Sequence, residues 1–213
     1  MNTNKILNDI KLSAKPYIIY KTPKGFDLFT DFSKKIILSN NNVNNFLKTI
    51  YSNKKKIKQT DLYIGFFGYE LLNYLIGIKF PKQKTNSFPK GIFYKPETLI
   101  SLSENLSFKT SSIEKKSKQF KININRKNYT KIFNKFKKKI KQGETYQIKI
   151  CTKYKNESKI DPLEFFCRLS KSNLAPEAFL IKDKNYSVIS CSPETLIEKK
   201  GRSIITKPIA GTL

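Results

Sequence analysis

Two hairpin signals follow one another between residues 178 and 209, and together they read as a run of antiparallel strands. Ala178–Ile181 and Tyr186–Cys191 are strand-like runs on either side of Asp183-Lys184-Asn185, while Thr195–Glu198 and Ser203–Ile209 are joined through Lys200-Gly201. Upstream, Lys127–Gln142 has a helical period. Tyr129, Ile132, Phe133, Phe136 and Ile140 make its apolar stripe, Lys131, Lys135, Lys138 and Lys139 its solvated face, and Gly143 stands where a C-terminal cap belongs. Thr145–Tyr154 alternates, which predicts a strand with Tyr146, Ile148, Ile150, Thr152 and Tyr154 on one face and Gln147, Lys149, Cys151 and Lys153 on the other. Asp161-Pro162-Leu163-Glu164 starts a second helix, with Asp161 as N-cap and Pro162 in the first turn. Helix, strand, helix and then antiparallel strands predict an α+β layered architecture.

The first half carries weaker punctuation. Pro16–Tyr20 and Phe26–Phe29 read as strands around the turn Thr22-Pro23-Lys24-Gly25, and Asn40 to Asn42 offer caps to a helix with Val43, Phe46, Leu47 and Ile50 on one face. Leu62–Glu70 reads as a buried strand entering a helix that runs to about Ile78. Gly65 and Gly68 either let another backbone approach closely or form a bulge, the bulge being the simpler reading. A surface loop is predicted at Lys79–Pro89, strands at Gly91–Tyr94, Thr98–Leu102 and Leu106–Lys109, and a further loop at Ser111–Lys118.

The charge is extreme. Forty-two basic and 16 acidic side chains leave a formal +26, the electrostatic signature of a protein that binds nucleic acid or an anionic membrane. Only Arg126, Arg168 and Arg202 are arginines, however, and the lysines are spread along the whole chain rather than gathered in one stripe. Specific base and phosphate recognition favours the bidentate guanidinium, so weak attraction to polyanions is expected and specific nucleic-acid binding is not. Histidine is absent, which removes the commonest general base and transition-metal ligand. Cys151, Cys167 and Cys191 lack metal-ligand spacing and read as reduced, partly buried thiols. No secretory apolar core follows Met1, and the longest apolar run, Leu71 to Ile78, is broken by Asn73; a soluble, cytoplasmic protein with no membrane partner is expected.

Three short signatures stand in order near the end: Gly-Glu-Thr-Tyr-Gln-Ile-Lys-Ile at 143–150, Ser-Pro-Glu at 192–194 and Pro-Ile-Ala-Gly-Thr at 208–212. Together they resemble the chorismate-using enzymes: component I of anthranilate synthase and of aminodeoxychorismate synthase, and the isochorismate and salicylate synthases. Leu62–Glu70 resembles the Gly-Tyr-Leu-Gly-Tyr-Asp/Glu stretch of their N-terminal lobe. The resemblance implies two large antiparallel sheets packed face to face with helices outside, here incomplete. Residues 1–120 would be the N-terminal lobe, and residues 121–213 the opening part of the chorismate-binding catalytic module.

The same resemblance assigns a ring pocket to Gln147, Ala210, Gly211 and Thr212. Family members that add water to chorismate have a lysine in the place of Gln147, and a glutamine cannot act as that base. Many aminodeoxychorismate synthases have a nucleophilic lysine in the place of Ala210, and alanine offers none. Both positions therefore point to an anthranilate synthase-like aminase. Aminodeoxychorismate synthase component I is the near alternative, and a basic polyanion-binding module the alternative from another class. Ser192-Pro193-Glu194 is expected to be a structural turn. The whole enzyme would use magnesium and take ammonia from a glutamine amidotransferase partner. The glutamates, histidine and glycine-rich turn of the family's metal and carboxylate sites lie beyond the position of Leu213. No metal ligand or secure catalytic group is therefore expected within this chain, nor turnover by it alone. No segment matches the Leu-Leu-Glu-Ser element of tryptophan feedback; Pro16–Tyr20 is nearest but lacks the polar pair.

Overall fold

A computed structural model of the chain describes residues 3–52, 58–77, 88–106 and 118–209. The elements in chain order are α1 (Thr3–Leu12), β1 (Tyr17–Thr22), β2 (Gly25–Ile37), α2 (Val43–Ser52), β3 (Ile64–Phe67), a 3₁₀ turn at Tyr69–Leu71, α3 (Leu72–Leu75) and β4 (Gly91–Leu102). They continue with β5 (Lys121–Ile122), α4 (Arg126–Lys141), β6 (Tyr154–Lys155), α5 (Pro162–Ser172), β7 (Glu177–Lys182), β8 (Ser187–Ser192), β9 (Thr195–Lys200) and β10 (Ser203–Lys207). Two compact units result, one of Met1–Thr110 with Asp161–Leu213 and one of Ser111–Ile160.

The first unit is built on a six-stranded sheet in the order β3-β4-β2-β1-β7-β8, antiparallel throughout. Pairing of β1 with β7, Ile18 opposite Ile181, ties the start of the chain to its last third. Strand alternation sorts the core into two faces. Tyr17, Ile19, Phe26, Leu28, Ala178 and Leu180 meet Ile6 and Leu7 of α1 and Leu163, Phe166 and Cys167 of α5. Ile18, Phe29, Ile92, Tyr94 and Ile181 form the opposite cluster. A third cluster joins Val43 and Phe46 of α2 to Leu38, Leu71 and Phe93. The α+β class, an antiparallel sheet layered with helices, is as expected; the strands outside the large sheet form two-stranded ribbons, β9–β10 and β5–β6.

Local chemistry accounts for the elements that were foreseen. The Asp161 carboxylate accepts the Glu164 amide at 2.8 Å, and Pro162 occupies the first turn where no donor is needed. Phe166 then meets the edge of Phe26 with ring centroids 5.8 Å apart. Asp161→Ala is expected to lower the unfolding free energy by about 1 kcal/mol in urea titration. Lys11, 3.6 Å from the same carboxylate and a third exposed, adds little to that figure. Helix α4 is capped by Asn125, whose side chain accepts from the Asn128 amide, and is followed by Gly143 at φ +75°.

Five expectations are corrected. The two strands expected at 91–94 and 98–102 are one strand, β4. Pro96 lies opposite Phe32, where the register against β2 shifts before Lys34, and such an irregularity tolerates a residue without an amide hydrogen. Gly65 and Gly68 form no bulge: the four β3–β4 pairs run without a register shift, and the glycines serve close backbone approach instead. The helix after Glu70 ends at Leu75. Residues 3–12, read only as non-secretory, form α1, whose Ile6, Leu7 and Ile10 have helical spacing and enter the core.

The strand expected over Thr145–Tyr154 is not formed: only Tyr154–Lys155 is strand, paired with Lys121–Ile122. An extended segment becomes a strand only when its backbone groups find a ladder partner; Asn123 supplies one to the Lys153 carbonyl at 3.1 Å, beside the β5–β6 pair, and residues 147–152 are not strand-paired among the described residues. The strand expected at Leu106–Lys109 lies outside the described residues except for the buried Leu106. The loops expected at Lys79–Pro89 and Ser111–Lys118 lie outside them except for residues 88–89 and 118. Among the described residues no helix is long and apolar enough to cross a membrane.

Candidate functional site

The β1–β2 turn, the segment before β7 and the β9–β10 ribbon enclose a cleft of about 990 Å³ in the first unit. Its polar wall is tightly paired. Tyr20 donates to Glu177 Oε2 at 2.7 Å and Thr195 donates to Oε1 at 2.6 Å, so both oxygens of that carboxylate are used. Burial, then the Glu177 hydrogen bond, push the Tyr20 hydroxyl far above its ordinary pKa and keep it a neutral donor. Lys21 donates to the Ala175 carbonyl at 2.7 Å. Glu198 lies 2.6 Å from Lys200 and 3.9 Å from Lys207, and the Lys200 hydrogen bond holds it below the usual carboxylate range. A dianion entering here meets the Lys21 ammonium, whose carbonyl bond leaves its charge uncompensated, whereas Lys200 and Lys207 are paired with Glu198. Lys207, at the end of β10, stands three residues before Ala210 in the sequence.

Of the expected site residues, only Gln147 is among the described ones. Gln147 belongs to the second unit, in irregular backbone beyond α4, and its side chain is exposed. Its carbonyl accepts from the Thr145 hydroxyl at 3.2 Å, and Tyr146 beside it is 91% exposed, not half-buried on the apolar face as its alternation suggested. Ala210, Gly211 and Thr212 lie outside the described residues. Ser192-Pro193-Glu194 is the structural turn expected of it: the Ser192 hydroxyl meets the Glu194 carbonyl at 3.2 Å between β8 and β9. Cys151 is exposed, Cys191 half-buried and Cys167 buried, none of them in a disulfide; burial pushes the Cys167 thiol up to about 11, which makes it inert. Sequence reasoning missed the Tyr20–Glu177–Thr195 cluster, because its members come from three strands and no local pattern joins them.

The comparisons decide the lineage. A family model described as chorismate binding enzyme matches residues 15–213. This chain belongs to that family. Among its relatives, anthranilate synthase component 1 of Buchnera aphidicola subsp. Rhopalosiphum maidis is 28% identical over 204 residues, covering 78% of this chain and 39% of that protein. The anthranilate synthase component I-like protein of Synechocystis is 26% identical over 175 residues, covering 70% and 36%. The fold is shared with a 2,3-dihydroxybenzoate-specific isochorismate synthase of Bacillus anthracis, at a TM-score of 0.60 and 18% identity over 98% of this chain and 52% of that one. This member of the family thus spans under two fifths of the length of those curated relatives and about half of the solved neighbour.

Proposed function

We propose that this chain is part of a chorismate-utilising aminase of the anthranilate synthase component I type, which as a whole converts chorismate and ammonia to anthranilate and pyruvate. Gln147 is the observation that carries the reading. Its amide can donate and accept hydrogen bonds but cannot remove a proton from water, so it suits ammonia as nucleophile better than water. The relatives named component I support the same choice. Ala210 favours direct attack on the ring over a covalent intermediate, and so anthranilate over aminodeoxychorismate. Gly211 would let the backbone approach the ring, and Thr212 would offer a hydroxyl. A glutamine amidotransferase is the proposed source of ammonia, and the cytoplasm the proposed compartment.

Magnesium is the cofactor that the family implies. Among the described residues no group of three His, Cys, Asp or Glu side chains could hold a metal ion. The cleft carboxylates do not fit it either: Glu177 is occupied by two hydroxyl donors and Glu198 by two ammonium groups. No step of the reaction is therefore assigned to a metal held by these residues.

The test combines the purified chain with the part of the Rhopalosiphum maidis Buchnera protein that follows the matched region, in chorismate, ammonium and magnesium. Anthranilate is the expected product by chromatography and fluorescence, with none formed by the 213-residue chain alone. Gln147→Lys is expected to lower anthranilate formation by about 100-fold, as a misplaced group in a packed site does. Isochorismate from the unmodified mixture would overturn the aminase reading.

A further inference from the structure

The two units share the positive charge unevenly. Residues 111–160 carry 16 basic and three acidic side chains, +13 of the chain's +26 in under a quarter of its length. Half of those bases lie on helix α4, where eight of 16 residues are Arg or Lys and none is acidic. Lys127, Lys131, Lys135 and Lys138 are all exposed, and at 3.6 residues per turn they form one row on the side opposite Phe133 and Ile140. Of the eight bases, Lys139 alone has a carboxylate partner among the described residues, Glu144. The β5–β6 ribbon, which leads into α4, presents rings as well as ammoniums. Phe120 and Tyr154 are 64% and 65% exposed, with ring centroids 6.5 Å apart. Lys121 and Lys155, next to them in sequence, share the single carboxylate of Glu157 at 3.2 and 3.9 Å, so positive charge is left over at the ribbon. The Asn123 side chain accepts the Lys153 amide at 2.6 Å, and Asn125 caps α4, which ties the ribbon to the start of the helix.

Unneutralised lysines in a row and exposed rings beside further lysines suit a chain of phosphodiesters with unpaired bases. A lysine neutralises phosphate as a point charge without reading a base edge, and a ring offers its face to any unpaired base. An acidic protein segment would use the ammoniums but leave both rings in water. An anionic bilayer demands one continuous apolar face, whereas the ribbon rings alternate with lysines. We propose that the second unit binds single-stranded polynucleotides without sequence preference. The α4 lysine row follows the phosphates, and Phe120 and Tyr154 stack on bases. The scarcity of arginine, which argues against base-specific readout, is no obstacle to this mode. Neither an ammonium nor a ring face reads the 2′-hydroxyl, so RNA and DNA strands are expected to bind alike. The inference is independent of the aminase reading, since none of these side chains lines the cleft or belongs to the expected ring pocket.

The experiment titrates the full 213-residue chain into fluorescein-labelled oligouridylate and oligodeoxythymidylate of about 16 nucleotides, read by anisotropy over a salt series. Binding is expected at about 50 mM salt, with log affinity falling linearly against log salt. The triple variant Lys131→Gln, Lys135→Gln, Lys138→Gln keeps good helix formers and is expected to make that slope shallower by about 2, since each single-strand phosphate contact contributes about 0.7. Phe120→Ala with Tyr154→Ala is expected to weaken both strands about fivefold or more, and to leave a duplex of the same length within about twofold, because paired bases have no free face. Phe120→Tyr with Tyr154→Phe keeps two rings and is expected to bind as the wild type does, which separates stacking from any change in the ribbon. Far-ultraviolet circular dichroism checks that each variant retains its helices. The proposal is overturned by absence of binding at about 50 mM salt, by a slope unchanged in the lysine variant, or by a ring variant that binds the strands normally or loses the duplex equally. It is also overturned if polyglutamate or phosphatidylglycerol vesicles bind as tightly as the oligonucleotides, for the attraction is then one of charge alone.

Discussion

Gly65→Ala is expected to destabilise the first unit by about 3 kcal/mol or more, at or beyond the upper end of ordinary overpacking in a core. A Cβ built on Gly65 comes within 2.8 Å of both the Ile92 carbonyl carbon and the Phe93 Cα, and nearer still to the Ile92 oxygen. Real Cβ contacts essentially never fall below 3.0 Å, and here the obstacle is backbone, which cannot turn aside as a flexible side chain can. The strand would have to lift away. With β3 would go the packing of Ile64 and Phe66 on the cluster around Ile92 and Tyr94, and the contact of Phe67 with Phe93 at 4.8 Å. Gly201→Asn is the contrast: that glycine, at φ +59°, has open space where a Cβ would go, and asparagine tolerates left-handed backbone. Its cost is expected to stay within about 1 kcal/mol. Urea midpoints followed by far-ultraviolet circular dichroism compare the two variants, and equal midpoints would refute the steric account.

The contrast between those glycines shows how far the sequence could be read. Gly201 sits between two strand-like runs, and turn chemistry is local, so the β9–β10 hairpin was legible, as were β1–β2 and β7–β8. The demand on Gly65 comes from Ile92, a residue far away in sequence, and no local pattern reveals it. The Asp161 and Gly143 caps were legible for the same reason as the hairpins, the Asn125 cap was not singled out, and Pro96 hid the continuity of β4 because the bulge that accommodates it lies in β2. Thr145–Tyr154 fails differently. Its alternation is present in the burial only from Ile148 to Lys153, with Tyr146 and Tyr154 exposed; hydrogen-bond pairing belongs to two segments, and one segment alone could not state it. The site divides along the same line. The ordered signatures identified the family, yet the cleft cluster of Tyr20, Glu177 and Thr195 exists only after three strands have converged.

Asp183 is expected to be the most valuable charged side chain of the sheet. It occupies the β7–β8 turn with its side chain only 4% exposed, and its carboxylate lies 2.6 Å from the Lys35 ammonium and accepts the Lys184 amide at 2.8 Å. The hydroxyls of Tyr94 and Tyr186 are buried without a hydrogen bond of good geometry, and burial, then the Asp183 charge, pushes Tyr186 up to about 12. Burial opposes the Asp183 charge as well, but the hydrogen bonds from Lys35 and Lys184 outweigh it and hold the carboxyl below its ordinary range. Asp183→Asn keeps the shape and removes the charge. Because Lys35 is 40% exposed and can turn to water, the cost is set at about 2 kcal/mol at neutral pH rather than the 3–5 of a fully buried pair. A depressed carboxyl pKa gives stability that is fully present above the unfolded value near 3.8 and is lost as pH falls through the folded value. The gap between wild type and Asp183→Asn in the urea midpoint should accordingly be constant from pH 7 to about pH 5 and shrink below about pH 4. A gap that widened on acidification would mean that Asp183 is protonated in the folded chain, and the Lys35 pair would lose its role in holding the β7–β8 turn to β2.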